Sequence, residues 1–234
     1  LVIRPRGSPI PGFVKEANGL LFKILSWILV LAPLGVFAIA FDFYIRFSGA
    51  IVNQMISFCL VVFAATMVHG LFVIPAIVHW FGGVGPVEFF KKSAKALVLA
   101  FSTSSSSATL PVSLKTCEED FKLSKSVSGF VLPLGATMNM DGTALFEGIA
   151  AVFLAYIFEV PLTNVEMISI FLMAMLSSVG APGMPSGSMS GMQMVLISAG
   201  IPLEGIGLLL IVERLLDTFR TAVNVEGDIA GAIV

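Results

Sequence analysis

Long hydrophobic stretches alternate with short polar ones along the chain. Asp, Glu, Lys and Arg are absent from residues 24–41, 47–87, 96–114 and 167–203. A transmembrane helix needs about 20 consecutive apolar residues to cross the hydrocarbon core of a bilayer, and several of these stretches reach that length. The pattern therefore predicts an all-α membrane protein with several crossings.

Two of the stretches have the pattern of continuous membrane helices. The first covers residues 20–41 and includes Pro33 and Gly35, which membrane helices tolerate when neighbouring groups satisfy the freed carbonyl. The second covers residues 48–80 and ends before a Gly-Gly pair and Pro86. We expect both segments to cross the membrane.

Two later segments each consist of two short apolar arms around a polar tip. The first tip, residues 102–109, contains four consecutive serines, and the second, residues 180–188, is rich in Gly, Pro and Ser. An arm of about 12 residues is roughly 17 Å long as a helix, about half of the ~30 Å hydrocarbon core. Non-helical backbone at that depth must be buried in protein or line an aqueous cavity. We therefore predict two re-entrant helical hairpins, at about 88–125 and 166–202, whose tips lie at a site.

The charges around the two hairpins have opposite signs. The first is flanked by lysines, namely Lys91, Lys92, Lys95, Lys115, Lys122 and Lys125, and the second by Glu159, Glu166 and Glu204. Under the positive-inside rule, the first hairpin opens from the cytoplasm and the second from outside. Each precedes one further segment, a broken helix at 126–158 and a last helix at about 205–228. This is the pattern of an inverted repeat, in which broken helices form the substrate site of a secondary transporter. We divide the chain into residues 1–47, a connector and scaffold-type helix, and residues 48–234, a transport domain.

Polar residues form one stripe on the last helix. Its members are Glu213, Asp217, Arg220, Thr221, Asn224 and Asp228. At 100° per residue they lie within an arc of roughly 100°. A charge at the bilayer centre costs about 2.5–3.5 kcal/mol on insertion scales, so a stripe of this kind indicates function. The alternative is a set of ion pairs, such as Asp217 with Arg220, that only hold helices together.

A second polar cluster interrupts the preceding helix. The sequence Asn-Met-Asp-Gly-Thr occupies residues 139–143, after Pro133 and Gly135. Such residues break the helical hydrogen bonds and free carbonyl oxygens beside a carboxylate, which is a ligand set for a hard cation. We predict a sodium site here.

The net charge, the cysteines, the histidines and the first residues of the chain indicate no additional function. The net charge of -2 and the lack of a basic stripe argue against a nucleic-acid partner. Cys59 and Cys117 have no metal-like spacing, and His69 and His79 have no carboxylate near them in sequence, so we assign these four side chains no function. Residues 4–9 have the composition of a connector and not of a signal peptide.

Three separated motifs resemble those of the dicarboxylate/amino acid:cation symporters, the family of the excitatory amino acid transporters. They are Ser-Ser-Ser-Ser-Ala-Thr-Leu-Pro at 104–111, Leu-Gly-Ala-Thr at 134–137 with the 139–143 cluster, and Asp-x-x-Arg-Thr-x-x-Asn-x-x-x-Asp at 217–228. The resemblance extends from about residue 17 to the end. The resemblance implies that this chain corresponds to the family's fold from the fifth helix onward. The whole fold has eight helices and two hairpins, and its inverted repeats are an established property. The resemblance also implies a homotrimer in the cell membrane, in contact with lipid.

The resemblance implies a role for individual residues. The substrate's amino group pairs with the position of Asp217, its side-chain carboxylate with Arg220, and its α-carboxylate with Asn224, Ser106 and backbone N–H groups of the tips. The implied substrate-binding set is Ser105, Ser106, Thr143, Met184, Ser188, Asp217, Arg220, Thr221 and Asn224. The implied sodium ligands, by side chain or carbonyl, are Gly135, Thr137, Asn139, Asp141, Ser178, Val179, Ala181, Asn224 and Asp228.

Glu147 matches the proton-carrying glutamate of animal members of the family, which implies that it carries a proton during transport. The alternative is a buried glutamic acid that stays protonated and only forms hydrogen bonds. Two arginines known from other members are missing, since Ser104 and Thr218 stand at their positions.

We expect a symporter for aspartate or glutamate with sodium ions, working by an elevator-like movement with the second hairpin as lid. A neutral amino acid or C4-dicarboxylate symporter of the same family is the nearer alternative, although Arg220 argues against the first and Asp217 against the second. An ion channel is a more distant one. An enzyme is not expected, because the serine run has no His or Lys base at a suitable spacing.

Overall fold

The computed structural model describes residues 10–47 and 50–234, and every regular element within these ranges is helical. The helices are α1 (Ile10–Phe47), α2 (Ala50–Val68), α3 (Ile74–Gly82), α4 (Pro86–Thr103), α5 (Ser106–Lys115), α6 (Lys125–Met138), α7 (Asp141–Ile157), α8 (Asn164–Val179), α9 (Ser188–Ser198) and α10 (Gly205–Ile233). Two π-helical turns, His69–Val73 and Thr116–Asp120, join α2 to α3 and follow α5. The all-helical prediction is confirmed for this part of the chain, and the proposed connector at 4–9 lies outside it.

Two helical segments in the described ranges are long and apolar enough to cross a bilayer. Ile51–Gly82 has a mean hydropathy of 2.3 in its most apolar window, and Lys125–Ile157 has 1.4. The first combines α2, the π turn and α3, and it ends at Gly83, whose φ of 69° is left-handed and favours glycine. Helix α1 is 38 residues long and includes Pro33, so it extends beyond the predicted span of 20–41 at both ends.

Two helix–turn–helix units stand where the sequence predicted hairpins. Helices α4 and α5 are joined by Ser104 and Ser105 alone, whereas α8 and α9 are joined by residues 180–187. Ser105 caps the start of α5, because its hydroxyl oxygen accepts a hydrogen bond from the Ala108 N–H. Helix α8 begins with a capping box between Thr163 and Glu166. The helices themselves are confirmed; their re-entry into a membrane and their inverted symmetry stay predictions.

Helix α10 lies between two apolar clusters and contributes to both. One cluster joins α2, α7, α8 and α9 to the N-terminal half of α10 through Phe146, Leu154, Met192 and Leu208 among others. The other joins α3, α4 and α6 to the C-terminal half. Lipid is as apolar as leucine, so helices in a membrane associate through close van der Waals packing and interhelical hydrogen bonds. The packing holds the polar face of α10 inside the protein, between the clusters.

Candidate functional site

The stripe predicted on the last helix is buried. Its six members all lie in α10 and are almost inaccessible, with Arg220 completely so, at 0% relative exposure. The inward orientation expected from the helical period is therefore present in the structure. The helix is longer than predicted, because it continues from residue 228 to Ile233.

Arg220 organises one group of charges, which we call the arginine cluster (Glu213, Asp217 and Arg220). Its Nη2 donates hydrogen bonds of 2.9 Å to Glu213 Oε1 and to Asp217 Oδ1. Its guanidinium carbon lies 3.9 Å from the ring centroid of Phe146, close enough for a cation–π interaction. Nε and Nη1 have no hydrogen-bond partner among the described residues. A buried donor without a partner costs about 1–3 kcal/mol, so Nε and Nη1, on different edges of the guanidinium, are open to an added acceptor.

The loop between α8 and α9 closes over the arginine cluster. The Ser186 N–H donates to Asp217 Oδ2 at 3.1 Å, and the Ser186 hydroxyl donates to Glu213 Oε2 at 2.8 Å. Ser186 has a left-handed φ of 61°, which non-glycine residues rarely adopt. Arg214, whose placement the sequence left open, is exposed and lies 3.9 Å from Asp217 Oδ2 through Nη1.

The tips of the two helix–turn–helix units contact each other. The Ser107 N–H and the Ser105 hydroxyl both donate to the Gly183 carbonyl, at 3.0 and 2.8 Å. A Cβ on Gly183 would lie 2.6 Å from the Ala136 carbonyl oxygen, so the backbone can approach this closely only at glycine. Two tips and the end of α6 therefore meet beside the site.

The predicted helix break is confirmed. Helix α6 ends at Met138, Asn139 and Met140 are non-helical, and α7 begins at Asp141. The Gly142 N–H at the start of α7 donates to Asn224 Oδ1 at 2.8 Å. The other end of the same amide, Asn224 Nδ2, donates to the Thr143 hydroxyl at 3.2 Å.

Carboxylates gather at this break, in what we call the aspartate cluster (Asn139, Asp141 and Asp228). Asn139 Nδ2 donates to Asp228 Oδ1 at 3.2 Å, and a Cβ on Gly135 would lie 2.5 Å from the same oxygen. Asp141 Oδ1 is buried and has no hydrogen-bond partner among the described residues. These oxygen donors are the type that a hard cation takes. Within the described ranges no three His, Cys, Asp or Glu side chains are arranged to hold a metal ion, so a cation here would also need amide and carbonyl oxygens.

On sequence alone His69 is assigned no function because no carboxylate lies near it along the chain, but the structure places one beside it. Its Nε2 lies 2.8 Å from Asp141 Oδ2, although 72 positions separate the two residues. His69 is the first residue of the π turn between α2 and α3, and only the packing of that turn on α7 and α10 brings the pair together. No local sequence pattern could have found this contact.

Glu147 is buried in α7 at 0% relative exposure. The Ser177 hydroxyl of α8 donates to its Oε2, while its Oε1 has no hydrogen-bond partner among the described residues. A Cβ on Gly191 would lie 2.7 Å from Oε1, so α9 packs directly against this carboxyl group. Glu147 therefore lies at the contact between α7 and the second helix–turn–helix unit.

The remaining predicted site residues lie at helix ends and tips. Ser106 and Ser188 are buried at the first positions of α5 and α9, and Met184 is half-buried in the second tip. The others, Thr137, Ser178, Val179 and Ala181, lie at or just after the C-terminal ends of α6 and α8, and the Ser178 carbonyl accepts from the Ala181 N–H at 3.3 Å. The Thr137 hydroxyl donates to the Leu134 carbonyl and the Val179 side chain is exposed, so neither side chain contacts the clusters. The sequence-based site residues did not include Ser177, Ser186 or Glu226, and Glu213 was placed in the stripe but in neither ligand set.

Known proteins match the whole chain. The family model described as "Sodium:dicarboxylate symporter family" covers residues 1–234. The "Putative sodium-dependent excitatory amino acid transporter glt-4" of Caenorhabditis elegans is 38% identical over 236 residues, 100% of this chain and 47% of that protein. The "Neutral amino acid transporter B(0)" of Homo sapiens is 37% identical over 230 residues, 97% of this chain and 42% of that protein.

A further relative shows the same coverage. The "Excitatory amino acid transporter 1" of Bos taurus is 35% identical over 232 residues, 98% of this chain and 43% of that protein. The chain thus spans less than half the length of these relatives, all of them transporters and none an enzyme. Its motifs, its helices and the full-length family match agree. The chain belongs to the sodium:dicarboxylate symporter family, a family of integral membrane transporters.

Proposed function

We propose that this chain forms the substrate- and cation-binding part of a secondary-active symporter that carries aspartate or glutamate together with sodium ions. The observation that carries the proposal is the arginine cluster. Arg220 is completely buried and keeps Nε and Nη1 open, next to a buried Asp217. A carboxylate accepts charge-assisted N–H bonds from a guanidinium, and Asp217 can accept an ammonium group.

An acidic amino acid matches these groups in one pose. Its side-chain carboxylate pairs with Arg220, its ammonium with Asp217, and its α-carboxylate with Asn224 and the N–H groups near Ser106. The ammonium would replace the Ser186 N–H, which occupies Asp217 Oδ2 at 3.1 Å. The other side chains of the proposed pocket are Ser105, Thr143, Met184, Ser188 and Thr221.

Sodium ions are the co-transported cargo in this proposal. The aspartate cluster offers carboxylates and an amide, and Asp141 Oδ1 is an orphaned buried acceptor that a cation would satisfy. Helix ends at Thr137, Ser178, Val179 and Ala181 add backbone carbonyls, and Gly135 and Asn224 complete the proposed ligands. Asn224 is hydrogen-bonded to Gly142 and Thr143, so it connects the two clusters. Such a shared residue gives binding of substrate and of sodium a common structural element.

The proposed movement makes the second helix–turn–helix unit, α8 and α9, the lid. Its tip contacts both the arginine cluster and the first tip, so opening it exposes the site. We propose that the two units are re-entrant hairpins of an inverted repeat, that the transport domain moves as an elevator, and that the full-length protein is a homotrimer in the cell membrane. Exposed apolar side chains on α1 to α3, among them Trp27, Phe37 and Trp80, suit contact with lipid or further protein.

A neutral amino acid is the second candidate substrate, because relatives with a neutral amino acid transporter name are as similar to this chain as those named excitatory. Arg220 disfavours it, since a neutral side chain would leave Nε and Nη1 without an acceptor in a dry site. A C4-dicarboxylate is disfavoured by Asp217, which would face a carboxylate instead of an ammonium. An ion channel would conduct ions, and its flux would neither saturate with an amino acid nor exchange it across the membrane.

Uptake by the full-length protein in proteoliposomes tests the proposal. Labelled aspartate, glutamate, alanine, glutamine and succinate are supplied with an inward sodium gradient or with choline. We expect saturable, sodium-dependent uptake of aspartate or glutamate, and exchange with the same substrate inside the vesicles. Sodium-driven uptake of alanine or glutamine alone would contradict the acidic assignment.

A further inference from the structure

Glu226 is a buried carboxylate on α10 that the proposed mechanism does not use. It is 4% exposed, and its Oε1 has no hydrogen-bond partner among the described residues. Its Oε2 would lie 3.1 Å from a Cβ on Gly70, in the π turn between α2 and α3. The side chain therefore points at the turn that also contains His69, away from the arginine cluster.

Two close contacts place Glu226 beside the aspartate cluster. Gly227, the next residue, packs against that cluster. A Cβ on Gly227 would lie 2.6 Å from Asn139 Nδ2 and 3.0 Å from Asp141 Oδ1. On the other side, His69 contacts Asp141 while its neighbour Gly70 contacts Glu226. Asp141 and Glu226 therefore lie against two consecutive residues of the same π turn, His69 and Gly70.

The charges around this point are not balanced by protein groups. Asp141 Oδ1 and Glu226 Oε1 are both buried and both without a partner in the described part of the chain. The contact with His69 uses the other oxygen of Asp141, Oδ2. Two buried carboxylate oxygens beside one turn repel each other and are tolerated when a positive charge lies between them. A π turn in the adjoining helix is itself a frequent mark of a functional site.

We propose that Glu226 is a cation-binding residue, whose carboxylate and that of Asp141 flank one of the transported cations. This inference rests on the proposed sodium coupling and adds a second negative charge to the aspartate cluster. Sodium is a hard cation that takes oxygen ligands, and the number of charged ligands sets the affinity of such a site. Glu226 thus tightens cation binding at the Asn139–Asp141 position and does not touch the amino acid.

Cation titration of the full-length protein in detergent, without amino acid and at one pH, tests this role. Thermal unfolding and calorimetry give the half-saturating sodium concentration for wild type, Glu226→Gln and Glu226→Asp. Ser93→Ala is the matched control, because Ser93 is also buried with an unpartnered side chain but lies on α4. We expect Glu226→Gln to raise the half-saturating concentration by about tenfold, since one ligand charge is lost, and Glu226→Asp to raise it less.

A second readout separates a cation ligand from a structural residue. In choline, Glu226→Gln should unfold at the same or a higher temperature than wild type, because carboxylate repulsion is removed, and in saturating sodium the order should reverse. An unchanged sodium titration in Glu226→Gln overturns the inference while leaving the proposed function intact. If Glu226→Gln and Glu226→Asp both unfold at a lower temperature than wild type in choline as well as in sodium, Glu226 has a structural role and the inference is overturned. A wild-type protein that sodium neither stabilises nor binds overturns the proposed function itself.

Discussion

The arginine cluster and the aspartate cluster are both buried along α10, yet their charges are arranged differently. In the arginine cluster, one guanidinium donates to both acids, Glu213 and Asp217, and still has open N–H groups. In the aspartate cluster, Asp228 accepts from the Asn139 amide and Asp141 contacts His69, and a carboxylate oxygen of Asp141 remains without a partner in the described residues. The first cluster contains one positive charge for its two acids, whereas the second contains none.

The difference assigns the clusters different ligands. A buried charge costs several kcal/mol unless it is paired, so the aspartate cluster is stable in a membrane when cations or protons supply the missing charge. The arginine cluster instead presents donors and an acid, which suit a zwitterion that carries an extra carboxylate. Because Asn224 bonds to the start of α7 between the clusters, filling one should order the other.

Loss of Arg220 breaks the arginine cluster and has the largest expected effect. We expect Arg220→Cys or Arg220→Thr to weaken the binding of aspartate and glutamate by about 2–5 kcal/mol, because a buried carboxylate loses its partner. Neutral amino acids should keep their affinity or gain some. Binding and uptake are measured for both substrate classes.

Arg214→Cys is the comparison variant for this prediction, since Arg214 lies on the same helix and 3.9 Å from Asp217 Oδ2 but is exposed. It should weaken binding by about 1 kcal/mol or less, because exposed ion pairs contribute little. An equal loss for acidic and neutral substrates in the Arg220 variants would show that Arg220 supports the fold and not the substrate carboxylate.

Loosening the tip between α8 and α9, the proposed lid over the arginine cluster, should have a smaller effect than loss of Arg220. Ser186→Ala removes the hydroxyl bond to Glu213 but keeps the backbone bond to Asp217. A hydrogen bond to a charged group contributes at least about 1.5 kcal/mol to stability. Its loss should make opening of the 180–187 tip, and therefore amide hydrogen exchange there, about tenfold faster. Mass spectrometry of the substrate-free, full-length protein measures it.

Ser190→Ala serves as the control, because the Ser190 hydroxyl bonds to the Gly187 carbonyl inside the same unit and not to α10. Its exchange should stay close to wild type. If both variants exchange equally fast, the Glu213 contact does not hold the tip.

Glu147 belongs to neither cluster, and its substitution should alter affinity least. Glu147→Gln keeps the shape of the buried side chain and a partner for Ser177, so sodium-driven exchange of substrate should persist. If Glu147 carries a proton across the membrane, the pH dependence of exchange and net uptake should disappear. The exposed Glu88→Gln is the control variant. A Gln variant with the wild-type pH profile in proteoliposomes would remove Glu147 as the proton carrier.

Much of this arrangement could be predicted from the sequence, because it depends on local signals. Runs without charge gave the helices, Ser and Gly/Pro clusters gave the tips, and Asn139 with Asp141 gave the helix break. The 3.6-residue period gave the inward stripe that includes Asp217 and Arg220.

Contacts between distant elements could not be predicted in this way. His69 with Asp141, Ser177 with Glu147, and Ser186 with Glu213 are separated by 72, 30 and 27 positions. Each depends on how two helices or a helix and a tip pack, which hydropathy and helical period leave open. The role of Glu226 was missed for the same reason, since on α10 alone it lies outside the stripe.

Calorimetric titration of aspartate into the full-length protein, in sodium and in choline, tests the central claim most directly. If cations bound at the aspartate cluster order the arginine cluster for the substrate, aspartate affinity should rise steeply with sodium concentration. By linkage, aspartate should raise sodium affinity by the same factor. Equal aspartate affinity in sodium and in choline would contradict the account.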